Sequence, residues 1–208
     1  MLELHTVWAD IEATNEPRIL NNHQFFDVQP KDLLAKKLKV VLVYRNPKDV
    51  AVSYFHHVKR MEHFYSYEGD FNAFLKRFAE GNLDNNSMFD YLKGWEQGIR
   101  DNPSLDVLVL SYDELRHDPL PHLRALAKFL GKDWGDSFLE TVLNNTDIEI
   151  MQKLKGLWIS DDDGVVMHRK GHVGDWKNHF TVAQNEWFDQ IINDAMKDSK
   201  LFTFKYTL

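Results

Sequence analysis

The 208-residue chain is 43% apolar and 13% aromatic, enough to bury a core within one domain and too much for a disordered polymer. Its formal net charge of −7 argues against a general nucleic-acid binder, and the lack of cysteine excludes disulfides, thiol nucleophiles and cysteine-ligated zinc. The longest strongly apolar run, residues 40–44, is far too short to span a bilayer, so neither nucleic acid nor a membrane is an expected partner.

Residues 1–16 read as a ragged start or a helix fragment, without the basic and apolar regions of a signal peptide. Residues 17–23 predict a short extended segment with Ile19 and Leu20 in the core, and 23–27 a loop. Taken alone, His23 is more often an exposed or structural histidine than a catalytic one; only a pKa near neutrality recommends it. Residues 30–37 predict a short helix. Residues 39–44 predict a parallel strand covered on both faces, because the β-branched run does not alternate. Asn46 then caps a helix, with Pro47 in its first turn, running to about residue 60. Strand, polar turn and helix together place ligands at the carboxyl end of a parallel strand. Arg45 stands at that edge, suited equally to a helix-capping ion pair and to a phosphate.

Residues 68–80 predict an amphipathic helix with Phe71, Phe74, Leu75 and Phe78 on its core face and Gly81 closing it. Another helix covers 88–100, with Phe89, Leu92, Trp95 and Ile99 at helical spacing. A second buried strand covers 106–110, and the polar run of residues 111–114 follows at its ligand-facing end. Helices are expected over 119–130, 136–143, 147–155 and 182–197, and the last eight residues form an apolar tail. The acidic run at 160–164 lacks the alternating ligand spacing of a calcium loop and reads as solvated, so no metal is expected. Strands alternating with helices predict a three-layer α/β domain with a parallel sheet.

The stretch over residues 167–186, MHRKGHVGDWKNHFTVAQNE, concentrates the polar chemistry. Arg169 offers a planar fork of donors that fits a phosphate, and Lys170 adds a point charge. Gly171 and Gly174 let backbone N–H groups approach a ligand. Asp175, Trp176 and Lys177 read as exposed. A local basic loop on an acidic protein suits a small anionic ligand better than a polyanion.

Two blocks, RNPKDVAVSY at 45–54 and RKGHVGDWKNHFT at 169–181, together resemble the signature blocks of the cytosolic sulfotransferase family. The resemblance runs from about Pro17 to the C-terminus. It implies a P-loop-NTPase-like sulfotransferase fold, a cytoplasmic location, and transfer of a sulfonate group from 3′-phosphoadenosine-5′-phosphosulfate (PAPS) to a hydroxyl or amine of a small molecule. It implies that Arg45, Ser53, Arg169, Lys170 and Gly171 hold the 3′-phosphate. Tyr112, Thr146 and Ile148 fall at the adenine end, and Met167 and His168 line the same pocket. His23 aligns with the general base. Lys177, Thr181, Val182 and Glu186 match the family's dimer motif, although the same four also suit an ordinary helix start capped by Thr181. Aromatic residues around Phe25, Phe26, Phe64, Tyr65, Phe89 and Tyr91 fit an apolar or aromatic acceptor.

The sequence departs from the family twice. No segment matches the T-Y-P-K-S-G-T-T-W type loop that cradles the 5′-phosphosulfate, nor its lysine. Around His23, Asn21, Asn22 and Gln24-Phe25 stand where the family reads K-T-H-L-P. The expectation is an N-terminally truncated fold with the 3′-phosphate half of the site intact and the 5′-phosphosulfate half missing. The chain would then be part of a longer sulfotransferase, or a shortened paralogue of little activity that binds nucleotide or dimerises. Lys48 would substitute for the missing lysine only if it turned out of the direction of its helix. A P-loop nucleotide kinase is disfavoured, because no G-x-x-x-x-G-K-[ST] is present.

Overall fold

The computed structural model describes residues 17–154 and 169–207. Two parallel strands, β1 (Val40–Tyr44) and β2 (Val107–Ser111), pair in register from Val40 opposite Val107 to Tyr44 opposite Ser111. Helices in chain order are α1 (Asp32–Ala35), α2 (Pro47–Arg60), α3 (Glu62–Tyr65), α4 (Phe71–Glu80) and α5 (Met88–Asp101). After β2 come α6 (Tyr112–His117), α7 (Pro119–Phe129), α8 (Asp136–Asn145), α9 (Ile148–Leu154) and α10 (Val182–Met196). Short 3-10 turns sit at Phe26–Val28 and Asp175–Asn178. Among the described residues no helix is long and apolar enough to cross a membrane.

Each strand ends where a polar cap takes over. Asn46 caps α2 by accepting the Asp49 N–H at 2.8 Å, with Pro47 in the first turn as its fixed φ requires. Ser111 does the same for α6, a helix that sequence reading treats only as a polar edge. Helix α4 begins at Phe71, later than its apolar period suggests, because Asp70 stays extended and caps it through the Ala73 N–H at 2.8 Å. Gly81 closes it in the left-handed region. Helix α8 continues through Asn145, past the expected break, and Thr146 ends it.

The core lies between β1 and helices α2, α4, α5 and α10. Leu42 and Tyr44 point into it, with Ala51, Phe74, Leu92, Trp95, Phe188 and Phe202. Phe74 is wholly buried and meets Tyr54, Phe55 and Tyr67 edge-on at 5.5–5.7 Å between ring centres. Such edge-to-face pairs each add about 0.5–1.5 kcal/mol beyond area burial. The apolar tail packs as expected: Phe202 is buried and meets the Tyr44 ring at 5.0 Å.

Three expectations are corrected. Strand β1 is not covered on both faces by the described residues: Val41 and Val43 are 39% and 54% exposed, and Val43 faces a cavity. Ile19 and Leu20 are not core; they are 95% and 68% exposed, because residues 17–25 run as irregular chain over the surface. Asp175 is not exposed but buried at 7%, for reasons that belong to the site. The acidic run at 160–164, with Met167 and His168, lies outside the described residues.

Candidate active site

One cavity of about 710 Å³ opens at the carboxyl ends of β1 and β2. Its walls include His23, Arg45, Ser53, Tyr112, Ile148, Arg169, Lys170 and Gly171, so most of the residues singled out from sequence meet in one place. Thr146 does not line it; its hydroxyl donates to the Val142 carbonyl at 2.8 Å. The cavity continues past Tyr54, His57, Tyr65, Phe78, Met88, Tyr91 and Leu92. It therefore has a cationic end and an aromatic end.

The cationic end is assembled by buried carboxylates. Arg45 leaves β1 and donates through Nη2 to the His172 carbonyl at 2.7 Å. Its guanidinium lies over the Tyr112 ring, 4.7 Å from the centre, and 3.5 Å from Asp49 Oδ2. Its buried Nε has no hydrogen-bond partner among the described residues, Asp113 Oδ1 being 4.0 Å away. Asp113, wholly buried, accepts the Asn46 backbone N–H at 2.7 Å and its Nδ2 at 2.9 Å. Burial pushes the Asp113 carboxyl up, against the hydrogen bonds from Asn46 and the charge of Arg45.

Asp49 ties the second signature block to the first. Its two oxygens accept the Gly174 N–H at 2.7 Å and the Trp176 N–H at 3.0 Å. Gly174 has φ +93°, and a Cβ there would come within 3.3 Å of the Tyr206 carbonyl, so glycine is required for the turn to close. Between those two amides sits Asp175. It accepts Arg169 Nη2 at 2.5 Å on one oxygen and Lys170 Nζ at 2.8 Å on the other, beside Asn178 Nδ2 at 2.9 Å. Burial opposes its charge, but the hydrogen bonds from Lys170, Asn178 and Arg169 prevail and hold its carboxyl well below the usual carboxylate range. Gly171, at φ +65°, lies against Ile148, whose Cδ1 would be 3.2 Å from an added Cβ.

His23 is exposed at the mouth and is carried by a short docked segment. Asn22 Oδ1 accepts the Gln24 N–H at 2.9 Å, and Gln29 Nε2 reaches Asn22 Oδ1, the Gln24 carbonyl and the Phe25 carbonyl. Phe25 meets Tyr91 at 5.7 Å and Phe26 meets Trp95 at 5.3 Å, both edge-on. Gly98 leaves room for the Phe26 ring, 2.3 Å from where its Cβ would lie. The unusual residues around His23 thus build their own turn.

Lys48 does not serve the cavity. It is 3% exposed, donates to Asn185 Oδ1 at 2.6 Å and packs over Trp176 and Tyr206. Sequence reading missed His56 and His57, which line the cavity one turn beyond Ser53. The spacing Ser53, His56, His57, Arg60 is one helix face, and that period was the available signal. It also missed the carboxylates Asp49, Asp113 and Asp175. The four expected dimer residues are exposed, Val182 at 75%, and Thr181 caps α10 through a reciprocal pair of bonds with Gln184.

Parallel strands with a cation-lined cleft at their carboxyl edge define an α/β protein with a place suited to an anionic ligand. The chain matches the sulfotransferase domain over residues 2–200 and belongs to that family. It is 33% identical over 199 residues to mouse Sulfotransferase 1B1, covering 92% of this chain and 65% of that protein. Against human Sulfotransferase 1C2 it is 34% identical over 197 residues, covering 91% and 65%. The chain thus spans a little under two thirds of the length of these relatives. Among solved structures it is similar to mouse sulfotransferase SULT7A1 complexed with PAP, with a TM-score of 0.78 and 29% identity over 92% of this chain and 69% of that one. Retinol dehydratase in complex with androsterone and inactive cofactor PAP gives 0.74 and 26%, over 86% and 53%. The sulfotransferase fold is therefore the fold of this chain.

Proposed function

We propose that this chain moves a sulfonate group from PAPS to a hydroxyl or amine of a small apolar or aromatic acceptor. The observation that carries the reading is a cavity lined at one end by cations of both signature blocks and by His23, and at the other by aromatic rings. Arg45, Ser53, Arg169, Lys170 and Gly171 take the 3′-phosphate. The donor set fits such a group: two guanidinium forks, an ammonium, an exposed hydroxyl, and a backbone turned to positive φ at Gly171. Tyr112 and Ile148 flank the adenine end.

In the transfer, a bond forms between the acceptor oxygen or nitrogen and sulfur as the bond from sulfur to the 5′-phosphate oxygen breaks. The electron pair leaves with the nucleotide. His23 takes the acceptor's proton, a role open to an imidazole at the mouth of the cavity. Among the described residues Lys170 is the one lysine on the cavity wall, and it belongs to the 3′-phosphate group. That observation favours a second reading, nucleotide binding with slow or no transfer, because the leaving oxygen then gains less cationic stabilisation. We place the protein in the cytoplasm as a homodimer through Lys177, Thr181, Val182 and Glu186, whose side chains are all exposed.

Calorimetric titration with 3′-phosphoadenosine 5′-phosphate tests the reading. The chain binds, and Arg169→Ala weakens binding by about tenfold or more, as loss of a charged hydrogen bond implies. Transfer then falls about 10²-fold to 10⁴-fold in His23→Ala. Failure of a folded chain to bind sinks both readings; binding without measurable transfer leaves the second. Light scattering on the same sample reads the dimer, and a single-chain mass rejects it.

A further inference from the structure

The two cations of the second block are held by a carboxylate that does not itself face the cavity. Arg169 and Lys170 line the cavity wall, whereas Asp175 is 7% exposed and stands behind them. One Asp175 oxygen meets Arg169 and the other meets Lys170. A carboxylate in the ligand's own place would compete with a phosphate. One placed behind the cations instead fixes the distance between them.

Asp175 is itself fixed from both sides. The amides immediately before and after it donate to Asp49, which stands on α2 one helical turn from Arg45 and 3.5 Å from that guanidinium. A continuous path therefore runs from Arg45 through Asp49 to the turn carrying Asp175, and from Asp175 to Arg169 and Lys170. His179 Nε2, 3.5 Å from Asp175 Oδ2, and Asn178 close the remaining side.

We propose that Asp175 is a positioning residue that sets Arg169 and Lys170 side by side in the cavity that Arg45 also lines, and thereby confers the preference for a nucleotide bearing a 3′-phosphate. The proposal rests on the nucleotide reading above. It assigns Asp175 no contact with the ligand; its effect passes through the two cations alone. Its signature is therefore selective: the increment in affinity due to the 3′-phosphate falls, while contacts to the rest of the nucleotide persist.

Calorimetric titration of the full chain with two probes, 3′-phosphoadenosine 5′-phosphate and adenosine 5′-phosphate, reads that increment directly. In Asp175→Asn, affinity for the first falls about tenfold or more and affinity for the second changes less than about twofold, with the melting temperature recorded alongside. Asp175→Glu, which keeps the charge but displaces it by one methylene, gives a smaller loss confined to the same probe; it also carries the test if the Asn variant fails to fold. An unchanged 3′-phosphate preference overturns the proposal. So does tighter binding in the Asn variant, which would make Asp175 a competitor, and so does an equal loss for both probes, which would make its role general support of the fold. A wild-type chain with no 3′-phosphate preference overturns the nucleotide reading itself; a wild-type preference that survives both variants overturns only the role of Asp175.

Discussion

Burial, and after it the charges of Arg169, His179 and Arg60, push the His56 imidazole down to a pKa of about 4 from an ordinary 6.5, with Asp175 pulling weakly the other way. Its buried Nε2 has no hydrogen-bond partner among the described residues, and its ring meets His179 at 5.0 Å. Because the folded value lies below the unfolded one, the unfolded chain takes up the proton first. Stability therefore falls as pH drops from about 6.5 toward about 4, and His56 contributes no slope above that window. Urea unfolding at pH 7 and pH 5 should show a lower midpoint at pH 5, and His56→Phe should lose less between the two; an equal loss would assign the slope to other groups. The same scale shows where sequence stops. Arg45, Ser53, Arg169 and Gly171 are legible because each sits at a fixed place in a signature block. Asp175 is not. An aspartate in a polar stretch looks solvated until the chain turns at Gly174 and brings Arg169 and Lys170 back onto it.

Helix starts and stops are mostly written in local chemistry, so α2, α5 and α10 fall within a residue or two of their expected bounds. The caps at Asn46, Ser87 and Thr181 each accept an amide of the first turn, a purely local signal. What one helix does to another element is less legible. Gly98 is an unremarked interior residue of α5 by sequence, yet it forms the notch in which the Phe26 ring lies. Trp95 and Tyr91, one and two turns away on that helix, hold the rest of the His23 segment. Gly98→Ala should therefore displace the segment rather than the cationic end of the cavity. The expected result is a loss of transfer of about tenfold to 10²-fold, as a misplaced catalytic group implies. Binding of the 3′-phosphate nucleotide should change little, because Arg45, Arg169 and Lys170 stand on other elements. Loss of both in parallel would contradict this division of labour. The overpacking itself should cost about 1–3 kcal/mol of stability, read by thermal melting.

For the molecule as a whole, alternation of strand and helix was enough to give the α/β class and the parallel pairing. It misled on the cover over β1: an unbroken apolar run points to two buried faces, yet Val41 and Val43 stay 39% and 54% exposed among the described residues, since neighbouring elements and not the run itself decide the cover. Nor could it give the contacts that close the fold: Asp49 meets the Gly174 amide across 125 positions of chain, and no local preference encodes that meeting. Lys48 depends on the same closure. Its amine is shut in by Asn185 and Asp189 of α10, by the Trp176 ring and by Tyr206 of the tail. Lys36 and Lys93, by contrast, have side chains 65% and 48% exposed. An acylating reagent should consequently modify those two at once and reach Lys48 only when α10 or the tail lifts away. Followed by peptide mass spectrometry, the slow acylation of Lys48 would serve as a clock for that opening. Modification as fast as that of Lys36 would mean the C-terminal part of the chain stands open in solution. A chemically acylated Lys48 would also lose the charge that holds Asp189, so each opening that is caught by reagent becomes harder to reverse.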